Sequence, residues 1–121
     1  MVSIITPWNF PFWILSQKLP FALGAGCTSV VKPSEMTPST TAMLGEILAQ
    51  AGLPAGVCNI VPGYGSPVGS LMTTHKDVEM VTFTESTAVG KLITKAAGET
   101  LKRARWNLAA RIRKSSEPMP I

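Results

Sequence analysis

The chain has 121 residues, 45% of them apolar and 15% charged, with a formal net charge of +4. That is enough for one small domain with a modest core, and too apolar for disorder. Residues 102–121 hold six of the eleven cations and one of the seven acids, so the rest of the chain is near neutral and no nucleic-acid-binding face is expected there.

Residues 2–6 form a short apolar run that stops at Pro7 and reads as a buried strand. Residues 11–25 read as helical, in two pieces because Pro20 has no N–H to continue the ladder. Residues 28–32 are a second strand, stopped by Lys32, Pro33 and Glu35. Thr37 then Pro38 predicts an N-cap and a first helical turn. Met43, Leu44, Ile47, Leu48 and Ala51 stripe the helix that follows, and Gly52 ends it. Residues 57–61 are a third strand, followed by a Gly-rich loop (Pro62-Gly-Tyr-Gly-Ser-Pro67) and a short helix to about Thr74. Residues 79–84 are a fourth strand, and Ser86 caps a helix stopped by Gly98.

Repeated strand–helix units of this size imply an α/β fold with a doubly wound parallel sheet. In such a sheet, ligands bind at the carboxyl ends of the strands. The first two strands both end there in polar groups held by Pro-fixed turns, so the chain reads as part of a nucleotide site. The stretch over residues 10–31 is broken by Pro11, Gln17, Lys18 and Pro20, which argues against a membrane span. Met1 leads into a strand without the basic start of a signal peptide. Cys27 and Cys58 lack metal-type spacing, so no metal is expected and a reduced, cytoplasmic setting fits best. Both read as small buried thiols, and His75 as a surface residue.

The motifs Thr6-Pro-Trp-Asn-Phe-Pro11, Val31-Lys-Pro-Ser-Glu35, Ala51-Gly-Leu-Pro-Ala-Gly-Val57, Asn59-Ile-Val-Pro-Gly63 and Phe83-Thr-Glu-Ser-Thr-Ala-Val-Gly90 occur in that order. Together they resemble the Rossmann-like cofactor-binding domain of the aldehyde dehydrogenase superfamily, over about residues 1–103. The central stretch looks closest to bacterial enzymes for betaine aldehyde and semialdehydes. The resemblance implies NAD(P)-dependent oxidation of a small aldehyde to a carboxylic acid through a cysteine thiolate. It also implies the roles that follow.

Asn9 would donate to the oxyanion formed when the thiolate attacks; on its own residues it reads instead as a turn asparagine bonding its own backbone, and the Pro-Trp-Asn-Phe-Pro motif tips it to the donor. Thr6 and Trp8 of the same motif would lie at the cofactor. Lys32 and Glu35 would hold the adenosine ribose, and the Glu35 carboxylate, by repelling a 2′-phosphate, suits NAD better than NADP. Gly65 and Gly69 would sit where the loop passes the adenine. Phe83, Ser86 and Val89 would face the pyrophosphate at the start of a helix.

Two departures qualify the resemblance. Position 85 is Glu where the family has Gly, which adds bulk and a like charge beside the diphosphate and predicts weakened NAD binding. From about Ala104 the family's Leu-Glu-Leu-Gly-Gly is replaced by Trp106-Asn-Leu-Ala-Ala110, so the general base becomes Asn107. A one-base shift restores a Glu codon across Trp106 and Asn107, and the same shift restores family residues around Met119. Residues 104–121 therefore read as a frameshifted non-family tail, disordered or loosely helical around residues 99–112. The nucleophile segment and the oligomerisation elements of the family are expected to be absent, and turnover by this polypeptide alone is not expected. A non-catalytic NAD- or nucleotide-binding module and a non-functional gene remnant remain open as alternatives.

Overall fold

A computed structural model describes residues 1–108 of the chain, with the side chain of Leu108 excepted. The order of elements is β1 (Val2–Ile5), α1 (Pro11–Ser16), α2 (Leu19–Gly24), β2 (Ser29–Lys32), α3 (Ser39–Gln50), β3 (Cys58–Ile60), α4 (Ser70–Thr74), β4 (Met80–Glu85), α5 (Thr87–Glu99) and β5 (Arg103–Leu108). The five strands form one sheet in the order β3-β2-β1-β4-β5, and every pairing is parallel.

β1 is the central strand, and its side chains alternate between two cores. Val2 and Ile4 meet Val31 of β2 and Leu15 and Leu19 of α1 and α2. Ile5, on the other face, meets Val81 and Phe83 of β4 and Met72 of α4. Helices therefore cover both faces, as a fully parallel sheet requires. Ile4, Val31, Val81 and Phe83 are completely buried, and each such side chain contributes about 1.5–3 kcal/mol relative to leaving it exposed.

The sheet order has a consequence for function. β1 connects onward to β2 on one side and pairs with β4 on the other, so the chain reverses its direction of progress across the sheet at β1. The gap beyond the carboxyl ends of β1 and β4 is where an open α/β sheet forms its ligand crevice.

Several local expectations are corrected. The break between α1 and α2 falls at Gln17–Lys18, and Pro20 lies in the first turn of α2, where its missing N–H costs nothing. Thr37 does not cap α3; its hydroxyl donates to the Trp8 carbonyl at 3.1 Å, tying the turn after β2 to the turn after β1. Of the α3 stripe, Leu44 and Leu48 pack on the sheet while Met43 and Ile47 stay exposed. α5 runs through Gly98 to Glu99 and is turned by Leu101, which adopts a left-handed φ of 54°.

The largest correction concerns the tail. Residues 103–108 are not a loose helix but the edge strand β5, paired in register with all six residues of β4. Trp106 pairs with Phe83, and their rings stack with centroids 6.2 Å apart and 17° between planes. That apolar contact, with β-sheet pairing of the whole segment, outweighs the polar character of Arg103 and Arg105. The remainder of the expected tail, residues 109–121, lies outside the described residues.

Candidate functional site

The chain leaves β1 through Thr6, Pro7 and Trp8, and Phe10 then takes a left-handed conformation at φ 51° and ψ 44°. A phenylalanine held there costs roughly 1–2 kcal/mol. The reversal lets α1 start at Pro11, whose fixed φ suits a first helical turn, and it stations Asn9, half-buried, on the carboxyl edge of the sheet. Thr6 is buried just past the strand, its N–H donating to the Lys32 carbonyl at 3.1 Å, and its hydroxyl has no partner among the described residues.

Lys32 closes β2 on the same edge. Register with Ile5 puts its side chain on the α4–α5 face. The Lys32 Nζ donates to the Pro33 carbonyl at 3.0 Å and to Glu35 Oε2 at 3.5 Å. The lysine side chain is 4% exposed and the glutamate 45%, so the ammonium is anchored from within while the carboxylate opens outward. A hydrogen bond with its own backbone holds the Glu35 carboxyl below the usual range; burial opposes this, and the Lys32 charge assists it.

These groups face a cleft of about 510 Å³, a size common for small-ligand sites. One side is α5, which contributes Val89, Leu92, Ile93 and Ala96. The other is α4 and the wide turn before it, Gly65–Gly69, which contribute Gly65, Gly69, Thr73 and Thr74. Trp8, Ser34 and Met36 come from the turns after β1 and β2, and Glu85 from the end of β4. The cleft is thus an apolar slot whose charged side chains, among the described residues, are Lys32, Glu35 and Glu85.

The cleft brings together Trp8, Lys32, Glu35, Gly65, Gly69 and Val89 from the residues singled out in the sequence. Four others lie outside its lining. Asn9 is further along the same edge, and Thr6 is covered. Phe83 is completely buried, because its parity on β4 turns the ring into the layer between sheet and α5. Ser86 is exposed and caps α5, its Oγ accepting from the Val89 N–H at 3.5 Å. The α5 apolar side (Leu92, Ile93, Ala96) and the α4 threonines escape motif reading. The signal for them was the helix period after Ser86, which places positions 89, 92, 93 and 96 on one face.

The two thiols are at the opposite end of the sheet. Cys27 precedes β2 and Cys58 opens β3, so both stand at the amino ends of strands. Burial pushes the Cys58 thiol up, away from the reactive thiolate form. Among the described residues no cluster of three or more His, Cys, Asp or Glu is arranged to hold a metal, and no helix is long and apolar enough to cross a membrane.

Comparison with known proteins matches residues 1–111 to the aldehyde dehydrogenase family. The aldehyde dehydrogenase of Enchytraeus buchholzi is 48% identical over 112 residues, which make up 92% of this chain and 22% of that protein. The crystal structure of an NAD-dependent aldehyde dehydrogenase from Sinorhizobium meliloti superposes with a TM-score of 0.88 at 48% identity, over 89% of this chain and 22% of that one. Betaine aldehyde dehydrogenase from Staphylococcus aureus, in complex with NAD+, gives 0.87 at 42% identity over the same shares. The chain therefore spans about 22% of the length of the relatives it matches. The family match also runs past residue 103, in keeping with β5 as part of the sheet.

Proposed function

The chain belongs to the aldehyde dehydrogenase family, and from that premise we propose that its cleft is the adenosine end of an NAD site serving the oxidation of an aldehyde to a carboxylic acid. The observation that carries this reading is the Lys32–Glu35 pair at the carboxyl end of β2, opening onto an apolar slot at the crevice of the sheet. The slot fits a flat base between the α5 side chains and the Gly65–Gly69 turn. Glu35 is an acceptor for vicinal ribose hydroxyls, and Lys32 is a donor beside it. An ionised Glu35 repels a 2′-phosphate and so favours NAD over NADP. The cofactor, when bound, accepts hydride from the substrate; Asn9, on the same edge, would steady a developing oxyanion.

The placement of the thiols favours a second reading of this chain taken by itself. Neither cysteine reaches the carboxyl edge, so the covalent step is not assigned to its residues. On that reading the polypeptide is a nucleotide-binding module without turnover of its own.

Trp8 lines the cleft and is 56% exposed, so the difference in tryptophan fluorescence between the parent and a Trp8→Phe chain reports on the cleft. Titration with adenosine is expected to give a saturable change, weakened about tenfold or more in Lys32→Met and Glu35→Ala. The absence of any saturable change, in a chain whose circular dichroism shows it folded, would overturn the assignment.

A further inference from the structure

Glu85 is the cleft residue that the proposed function leaves without a task. It ends β4, and its parity with Val81 and Phe83 directs it to the α4–α5 face, where it lines the cleft. It directly precedes Ser86, the N-cap of the 13-residue helix α5. The start of that helix, with its free N–H groups and positive dipole end, is the natural berth for a phosphate at the end of the crevice. Glu85 brings a carboxylate of the chain itself beside that start, with the Ser86 backbone favouring its ionised form.

The neighbouring charges do not neutralise it. Lys32 attracts Glu85, and Glu35 repels it. The Lys32 ammonium is meanwhile committed to Glu35 and the Pro33 carbonyl. From β1 the cleft receives Ile5, Pro7 and Trp8, and from α4 Ser70, Thr73 and Thr74, none of them charged. α5 contributes Val89, Leu92, Ile93 and Ala96, likewise uncharged. Among the described residues the lining therefore carries one cation against two carboxylates.

We propose that Glu85 biases this cleft toward nucleosides: it leaves binding of an uncharged adenosine-type ligand untouched and weakens that of a ligand whose diphosphate must reach the start of α5. The inference rests on the reading of the cleft as the adenosine end of a cofactor site. Base and ribose are served by the apolar slot and the Lys32–Glu35 pair. A diphosphate meets a like charge in a half-buried place and must displace or protonate the carboxylate beside its berth. Burial raises the Glu85 carboxyl above its usual range, so acid removes this barrier first. Glu35, held below the usual range, keeps its charge over the same interval.

The experiment titrates the full chain with adenosine and with NAD, reading Trp8 fluorescence, at about pH 5 and about pH 8. The parent chain is compared with Glu85→Gln, which keeps the shape of the side chain and removes its charge, and with Glu85→Gly. Adenosine affinity is expected to be the same in all three and at both pH values. NAD affinity is expected to rise about tenfold in each variant at the higher pH, a change of about 1.4 kcal/mol. In the parent it is expected to rise on acidification, a dependence that Glu85→Gln abolishes. If adenosine binds and NAD binds the parent as tightly as it binds Glu85→Gln at the higher pH, this inference is overturned while the site assignment stands. If neither ligand binds any folded variant, both fall.

Discussion

Gly90 gives a test in which the sign of the result decides the argument. It sits in the first turn of α5, and a Cβ built there would lie 2.5 Å from Trp106 Cε2 and 2.6 Å from Cζ2. Carbon atoms in contact prefer about 3.5–4.0 Å, so the indole must move for an alanine to fit. Overpacking of this kind costs about 1–3 kcal/mol. Against it stands the gain from replacing a helical glycine, about 1 kcal/mol. Trp106 is an edge-strand residue, 38% exposed, so it has some room to shift outward but loses its stacking on Phe83 by doing so. Gly90→Ala is therefore expected to destabilise the chain by about 1 kcal/mol net, which for a domain of this size lowers the melting temperature by roughly 4–8 °C. In a Trp106→Leu background the clash is gone, and the same substitution should stabilise by about 0.5–1 kcal/mol through helix propensity alone. Urea unfolding of the four chains closes the cycle, with an expected coupling of about 2 kcal/mol. A higher midpoint for Gly90→Ala in the unaltered chain would mean that Trp106 does not press on α5, and the packing of β5 against that helix would be refuted.

Two more outcomes follow from single side chains. Lys18 is buried between α1 and α2 and donates to the Thr82 hydroxyl at 3.2 Å; burial, then the charge of Arg105, lowers its pKa. The folded chain thus gives up this proton at lower pH than the unfolded chain does, and stability rises with pH between the two values. Lys18→Met is expected to remove that rise, so the parent should gain stability relative to the variant as pH rises toward about 10; an unchanged difference in urea midpoints would refute it. Glu35→Gln removes the charge facing a 2′-phosphate and should raise the affinity for NADP relative to NAD about tenfold; an unchanged ratio of the two dissociation constants would count against Glu35 as the selector.

The strands were readable because their signals are local. Val2–Ile5, Ser29–Lys32 and Met80–Glu85 are short runs rich in β-branched residues and ended by Pro or a cap, the pattern of buried parallel strands. The elements misread depend on partners distant in the chain. Nothing within residues 103–108 demands a strand; the demand comes from β4, which lies some twenty residues earlier and offers an open edge with Phe83 in register for Trp106. Thr37 has the side chain of a cap, yet the Trp8 carbonyl, brought near by the crossover, is the acceptor it satisfies.

The candidate site divides along the same line. Lys32 and Glu35 are three residues apart, so their pairing could be anticipated from spacing alone. The apolar side of the cleft could not be, because Leu92, Ile93 and Ala96 read equally as core until the sheet shows that α4 leaves them partly uncovered. Phe83 departs from expectation for the converse reason: it lies on the same face as Glu85, but the layer between sheet and α5 covers its ring and Trp106 stacks on it, whereas Glu85, two residues on at the strand's end, reaches the cleft. Strand parity is thus what makes position 85 the sensitive one. A residue there meets the ligand space directly, whereas its neighbour Thr84 on the opposite face does not. The charge of the one side chain that this alternation directs into the cleft decides whether a diphosphate meets the uncapped N–H groups at the start of α5 alone or with a like charge beside them.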